Sequence, residues 1–189
     1  MMMRGATLDR DTIAQVAAAV RHQLAPRASV LTAAPLEVLA QRDVRVTGIE
    51  DTFTTRARCG IGLPPNVWGL TTFARARAWI WLSREAWAEV TPTRMREGTV
   101  PRTRFTLAHE LGHVALHADE LVELDVTADP DHDARLEAEA NAFAAELLVP
   151  AQALRRLTRA RADDIALRFG VSVPMAQRRL DEARGGGAP

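Results

Sequence analysis

The sequence predicts an α+β fold, mostly helical with a small antiparallel sheet. Three observations carry that expectation. Several long stretches repeat apolar residues at helical spacing. Two neighbouring runs, Val67 to Phe73 and Ala78 to Leu82, have the Val, Trp, Phe and Thr content of a hairpin. Glycine and proline clusters separate these blocks, and no internal repeat links them.

Asp9 or Asp11 can cap a first helix to about Leu24, with Ile13, Val16, Ala17, Val20 and Leu24 on one stripe. Pro26 ends it. A short helix over 35–41 starts at Pro35, a favourable first position for proline. Val44 to Ile49 alternates as a strand does. Residues 51–65 are weakly patterned, and Gly60, Gly62, Pro64 and Pro65 mark them as loop. The hairpin follows, turning at a basic stretch with Arg75 and Arg77. Ser83 caps a helix to about Glu97, which Gly98 and Pro101 break. Thr106 to His117 is strongly helical, with Phe105 as a staple residue ahead of it. Residues 119–133 are acidic and end in a turn, and Ala134 to Leu148 is a second strong helix. Pro150 closes it and leads to a helix over about 151–160. Asp163 to Phe169, Gly170 and then Pro174 to Ala183 form a helix, a glycine turn and a helix. The four tryptophans, Trp68, Trp79, Trp81 and Trp87, read as core or edge packing around the hairpin. The expected organisation is an N-terminal helical segment (1–43), a central domain (44–150), a helical tail packed on that domain (151–184) and a disordered end (185–189).

Composition narrows the function. The 189 residues are 47% apolar and formally neutral, which suits one ordinary domain with a core and gives no sign of a nucleic-acid or membrane-surface partner. One cysteine, Cys59, excludes an internal disulfide and a cysteine-built zinc knuckle. A lone cysteine usually serves as a small semi-polar side chain. The start, Met1 to Asp11, reaches acidic residues before any apolar run, and no segment is long enough to span a bilayer, so the expectation is a soluble cytoplasmic protein.

The strongest chemical signal is His109-Glu110-Leu111-Gly112-His113. Helical residues four apart lie on one face, roughly 5–6 Å from each other, so both imidazoles can converge on one metal ion. Glu110 points sideways, toward a water beside the metal rather than the metal itself, as the H-E-x-x-H pattern requires. The rest of the helix is apolar through Leu107, Leu111, Val114 and Ala115. Catalytic zinc needs a third protein ligand and an open position. The next helix offers Glu137 and Glu139. Glu137 is preferred because it lies four residues before Asn141, so it can bind the metal while Asn141 supports His109 or His113 from behind. Glu139 lies about 200° around the helix from Glu137. His117 continues the spacing but sits about 12 Å along the axis from His109, too far for a compact three-histidine site. His22 and His132 fit no pattern. The chain has no tyrosine, so an oxyanion donor must be His117, His132 or an arginine, or the metal acts alone.

Arg104 to His117 (Arg-Phe-Thr-Leu-Ala-His-Glu-Leu-Gly-His-Val-Ala-Leu-His) followed by Glu137 to Pro150 (Glu-Ala-Glu-Ala-Asn-Ala-Phe-Ala-Ala-Glu-Leu-Leu-Val-Pro) resembles the ImmA/IrrE family of metallo-endopeptidases. The resemblance covers about Val44 to Leu180. It implies a mostly helical zincin-like domain with a short sheet and a C-terminal helix-turn-helix-like tail. It also implies Zn2+ held by His109, His113 and Glu137, with Glu110 as catalytic base. Members occur in bacteria, phages and mobile elements and often cleave a helix-turn-helix transcriptional repressor, so a protein substrate of that kind is implied as partner. Val149-Pro150 stands where methionine-proline is commoner, away from the metal site.

Two other readings remain open at this level. The Phe169 to Ser172 turn with Arg178 and Arg179 can present a DNA-reading helix, although Val173 to Ala176 offers few base-reading side chains. A catalytically dead interaction protein with structural zinc is the other, and Glu110 argues against it, since a structural site has no use for that carboxylate. Selective cleavage requires docking, with the acidic 119–133 segment and the arginine-bearing C-terminal helices as candidate surfaces.

Overall fold

The computed structural model describes residues 6–49, 51–90, 100–123 and 130–185, and at 119, 122–123 and 130–133 the backbone only. Its helices are α1 (Arg10–Leu24), α2 (Val38–Gln41), α3 (Arg84–Glu89), α4 (Pro101–Leu116), α5 (Ala118–Glu123), α6 (Pro130–Leu148), α7 (Ala151–Arg156), α8 (Ala162–Phe169) and α9 (Val173–Gly185). The strands are β1 (Val44–Thr47), β2 (Thr52–Cys59), β3 (Gly69–Ala74) and β4 (Arg77–Leu82). The α+β class therefore holds.

The sheet runs β1-β2-β4-β3. β1 with β2 and β3 with β4 are antiparallel, as a small antiparallel sheet requires, but the central pair β2–β4 is parallel. The hairpin causes this. The chain leaves β2 through the 60–65 loop, lays β3 on the far edge and returns as β4 between them, in the direction of β2. β2 itself corrects the expectation of loop over 51–65. It alternates, with Phe53, Thr55 and Ala57 buried. Two of its inward residues are small or polar, so counting large apolar residues misses a strand that β-branched threonines favour.

Ala78, Ile80 and Leu82 of β4 face the core and are fully buried. Trp79 and Trp81 face away from it and are half-buried, so of core or edge packing they do not take the core. Trp79 is held between Arg58 and Arg77, whose guanidinium carbons lie 4.7 and 5.1 Å from its ring centre.

α4 lies on the core side of the sheet and α6 packs on α4. α4 begins five residues before the expected Thr106, with Pro101 in its first turn after the extended Val100. Proline lacks the N–H that the first turn leaves unpaired, so Pro101 opens this helix instead of breaking the one before it. Phe105 is consequently inside the helix and not a staple ahead of it. Gly112 lets the two helices approach: a Cβ there would meet Ala140 Cα at 3.1 Å.

The other elements differ in detail. Asp9 caps α1, accepting from Thr12 N at 2.7 Å. α2 is shorter than expected because Pro35 to Glu37 form a turn. Ser83 caps α3, which ends at Glu89 with Val90 as its C-cap, and the expected extension over 91–97 lies outside the described residues. α5 and the start of α6 are helical where an acidic loop was expected, and residues 124–129 between them are not described. α7 stops at Arg156, short of 160. Gly170 takes a left-handed φ of 63° between α8 and α9, a conformation that favours glycine. Gly185 belongs to α9 rather than to a disordered end, and 186–189 lie outside the described residues.

Three buried arginines bind backbone carbonyls between distant segments. Arg21 donates to Leu147 O (2.6 Å), Arg104 to Ala34 O (3.0 Å) and Phe169 O (3.4 Å), and Arg179 to Val149 O (2.8 Å). Among the described residues, no helix is long and apolar enough to cross a membrane.

Candidate metal centre

His109 and His113 project from the same face of α4, as their four-residue spacing dictates. Their Nε2 atoms are 3.2 Å apart. Glu137 on α6 closes the triangle, with one carboxylate oxygen 3.2 Å from His109 Nε2 and the other 3.3 Å from His113 Nε2. Among the described residues this is the group of His, Cys, Asp and Glu side chains whose atoms converge closely enough to hold a metal. Bonds of about 2.0–2.1 Å to a tetrahedral ion place its ligand atoms about 3.3 Å apart. The two imidazole nitrogens therefore stand at that separation from each other, each has one Glu137 oxygen at a similar distance, and one ligand atom from each residue lies within 4.8 Å of the others. Two neutral imidazoles and a carboxylate also form a donor set that zinc accepts.

Electrostatics fit that use. Hydrogen bonds from His109 and His113 hold the Glu137 carboxyl well below the usual carboxylate range, so it is an anionic donor. Burial pulls His109 down, but Glu137, Glu110 and Asn141 together outweigh it and leave its pKa raised. His109 Nδ1 lies 3.1 Å from Asn141 Oδ1. If that nitrogen donates, Nε2 keeps its lone pair for a metal.

Glu110 points away from the triangle. It is 93% buried, and burial raises its pKa against the opposing effects of Thr71 and the two histidines. Its Oε2 accepts from the Thr71 hydroxyl at 2.8 Å. Thr71 lies on β3, which passes so close to α4 that a Cβ on Gly69 would stand 2.7 Å from Thr106 Cγ2 and 2.8 Å from Glu110 Oε1. Only glycine fits at Gly69 without displacing the base. The sequence reading singled out neither residue, because nothing local to the hairpin signals which helix it will lie against.

His117 and Glu139 occupy unexpected places. His117 is fully buried, with Nδ1 3.2 Å from His113 Nδ1 and Nε2 2.9 Å from Glu139 Oε2. Burial drives its pKa down to about 4 despite the carboxylate. Both nitrogens are engaged, so His117 cannot reach a reacting oxyanion, contrary to one of the options left open by sequence. Glu139 is 3% exposed and directed to His117, Arg135 and Leu8 N, away from the triangle, whereas the Glu137 side chain is 57% exposed at its open side. The side chain of His132 lies outside the described residues.

The C-terminal helices carry two different arginines. Arg178 is 59% exposed, but Arg179 is buried against Val149 O, Glu146 and Glu182. Only one of the pair is therefore presented as a DNA-reading residue would be. Between this tail and α4, Trp68, Phe105, Pro174 and Met175, with Arg102 and Arg178, line a cleft of about 630 Å³. Phe105 sits one helical turn before His109, with ring centres 6.3 Å apart.

Residues 96–181 match the family model of the IrrE N-terminal-like domain, peptidase M78. No curated protein matches the chain. A solved Mycobacterium tuberculosis transcriptional regulator is similar over 91% of this chain and 50% of its own, with a TM-score of 0.54 and 17% identity. That likeness concerns the fold, and this chain spans half the length of that protein. The matched segment, 96–181, is similar to the IrrE N-terminal-like domain of peptidase M78 and contains every residue of the histidine-glutamate triangle.

Proposed function

We propose that this chain is a zinc-dependent endopeptidase, with His109, His113 and Glu137 as metal ligands, Glu110 as general base, and a helix-turn-helix transcriptional repressor as its protein substrate. The observation that supports it most is the convergence of ligand atoms from His109, His113 and Glu137 within 4.8 Å of one another, with a buried carboxylate on the adjacent helical position. Bound zinc would polarise the scissile carbonyl and make a water acidic enough to deprotonate near neutral pH.

The protein's own residues do the remaining work. Glu110 accepts a proton from the attacking water and delivers it to the leaving amine nitrogen, so the base is regenerated as the C–N bond breaks. Its burial raises its proton affinity toward that of a useful shuttle. The Thr71 hydroxyl holds one oxygen of this carboxylate. β3 is an edge strand alongside the base, a place where an extended peptide can add to a sheet. The Trp68–Phe105–Met175 cleft offers an apolar wall next to it. Hydrolysis of a peptide bond is indifferent to sequence, so selectivity must come from such docking surfaces.

The test is to incubate the zinc-loaded protein with casein and with a helix-turn-helix repressor encoded beside its gene, and to follow both by mass spectrometry. A single cut in the repressor with casein intact is expected. Rapid digestion of casein with the repressor left whole would replace this reading with a broad-specificity protease.

A further inference from the structure

We propose that the cleft between α4 and α9 selects the substrate, taking a large apolar side chain with an Asp or Glu carboxylate next to it, the carboxylate held by Arg102 and Arg178. This deepens the reading given above and rests on it for the cut, though not for the binding of such a peptide.

The place of the cleft follows from α4. Phe105 lines it and stands one helical turn before His109, with ring centres 6.3 Å apart. An extended peptide rises about 3.4 Å per residue, and its alternate side chains share a face, so a side chain in the cleft lies about two positions from the peptide bond over the histidines. Trp68 also lines the cleft, and it directly precedes β3, the edge strand beside Glu110. The cleft therefore continues the path of a peptide added to that edge.

Its chemistry is apolar with a cationic rim. Trp68, Phe105, Pro174 and Met175 supply the apolar surface, and among the described residues lining it the charged ones are Arg102 and Arg178. The Arg102 guanidinium carbon lies 3.5 Å from the centre of the Trp68 ring. Stacking of this kind uses the face of the guanidinium and leaves its in-plane N–H donors for an acceptor. Arg178 is 59% exposed, and its ion pair with Glu182 is long at 3.8 Å. Arg178 also lines a smaller hollow of about 250 Å³ that reaches Asn141, the residue beside His109. Both spaces thus open near His109, and Arg178 borders the two. A carboxylate is the planar anion that matches guanidinium forks.

α9 holds this arginine in place. Met175 and Arg178 are three residues apart and share a face. Arg179, the next position round the helix, is buried, donates to Val149 O at 2.8 Å and pairs with Glu146 and Glu182. That anchor ties α9 to the rest of the domain, so Arg178 is presented from a fixed element. Its surroundings favour a peptide over DNA: Arg178 stands among apolar side chains, whereas a phosphate backbone is met by rows of exposed polar donors.

The test uses the zinc-loaded Glu110→Gln protein, so that the probes stay whole. Short fluorescent peptides of one Gly/Ser background carry a central Glu-Leu-Glu, Gln-Leu-Gln, Arg-Leu-Arg or Glu-Ala-Glu and are read by anisotropy. Glu-Leu-Glu is expected to bind tightest, and its advantage over Gln-Leu-Gln should shrink with added salt. Adding Arg178→Glu should weaken Glu-Leu-Glu about fivefold or more and move the preference to Arg-Leu-Arg. Equal binding of the Glu and Gln peptides, or a preference that Arg102→Glu and Arg178→Glu both leave unchanged, would overturn the proposal. So would duplex DNA binding that Arg178→Glu abolishes, with no preference among the peptides. Arg102→Glu loses the stack on Trp68, and if it does not fold, Arg178→Glu decides alone. Cleavage is scored separately on the wild type. Peptide preference without any cleavage would support the cleft and remove the peptidase. Repressor cleavage with no acidic and large apolar residue within two positions of the cut would keep the peptidase and overturn the cleft.

Discussion

The two helices and the edge strand contribute to the centre in different ways. α4 and α6 carry the donor atoms, His109 and His113 from one and Glu137 from the other, and α6 adds Asn141 behind His109 and Glu139 against His117. β3 offers no donor to the triangle, yet its Thr71 holds the base and its Gly69 leaves room for it. Helix residues enter the site through short-range periodicity, which fixes their relative directions before any tertiary contact forms. Strand residues enter through a long-range approach between segments some 40 residues apart. The comparison teaches that metal affinity should follow the helices, and that the chemistry on the metal should depend on both.

The largest separation is expected from Glu137→Ala. Removing this ligand should lower zinc affinity well beyond the about 10–100-fold typical of supporting residues, and cleavage should vanish with the metal. Glu139→Ala should fall within that smaller range. A zinc titration that ranks the two in the opposite order would move the ligand role to Glu139 and erase the distinction between ligand and support.

Next comes Gly69→Ala. The added methyl would lie 2.8 Å from Glu110 Oε1, so strand or base must shift. Overpacking of this kind costs about 1–3 kcal/mol, visible as a lower Tm, and cleavage should drop while zinc binding stays near wild type. Loss of zinc in proportion to activity would mean that the strand shapes the ligand triangle too. The smallest effect is expected from Thr71→Val, which keeps the shape and removes the hydroxyl. A hydrogen bond to a charged group contributes about 1.5–3 kcal/mol, so slowing of at most roughly 10–150-fold is expected at unchanged zinc content. Unchanged kinetics would remove Thr71 from the orientation of the base.

The same contrast explains what was legible beforehand. The H-E-x-x-H spacing, the choice of Glu137 over Glu139 and the support of His109 or His113 by Asn141 all follow from 100° per residue on two helices, and the geometry is consistent with each, with Asn141 beside His109. β2 escaped because Thr54 and Thr55 look polar in sequence but favour a strand whose inner face is partly covered. The parallel β2–β4 pair escaped because a hairpin signal says which strands are adjacent but not which edge the next strand joins. Pro101 misled because proline marks both a helix end and a helix start, and only the extended Val100 before it decides. His117 and Glu139 were visible as residues, but their mutual contact needs the α4–α6 approach that Gly112 and Ala140 permit.

The central claim joins a metal held by three side chains to a proton carried by a fourth, and Glu110→Gln separates them. Glutamine keeps the shape of the side chain but cannot take the proton. Zinc content and repressor cleavage should therefore be measured on the same preparations of wild type and variant. About one equivalent of zinc in both, with cleavage in the variant slowed by roughly 10²–10⁴-fold or more, is the expected result. Wild-type cleavage by the zinc-loaded Glu110→Gln protein would contradict the account.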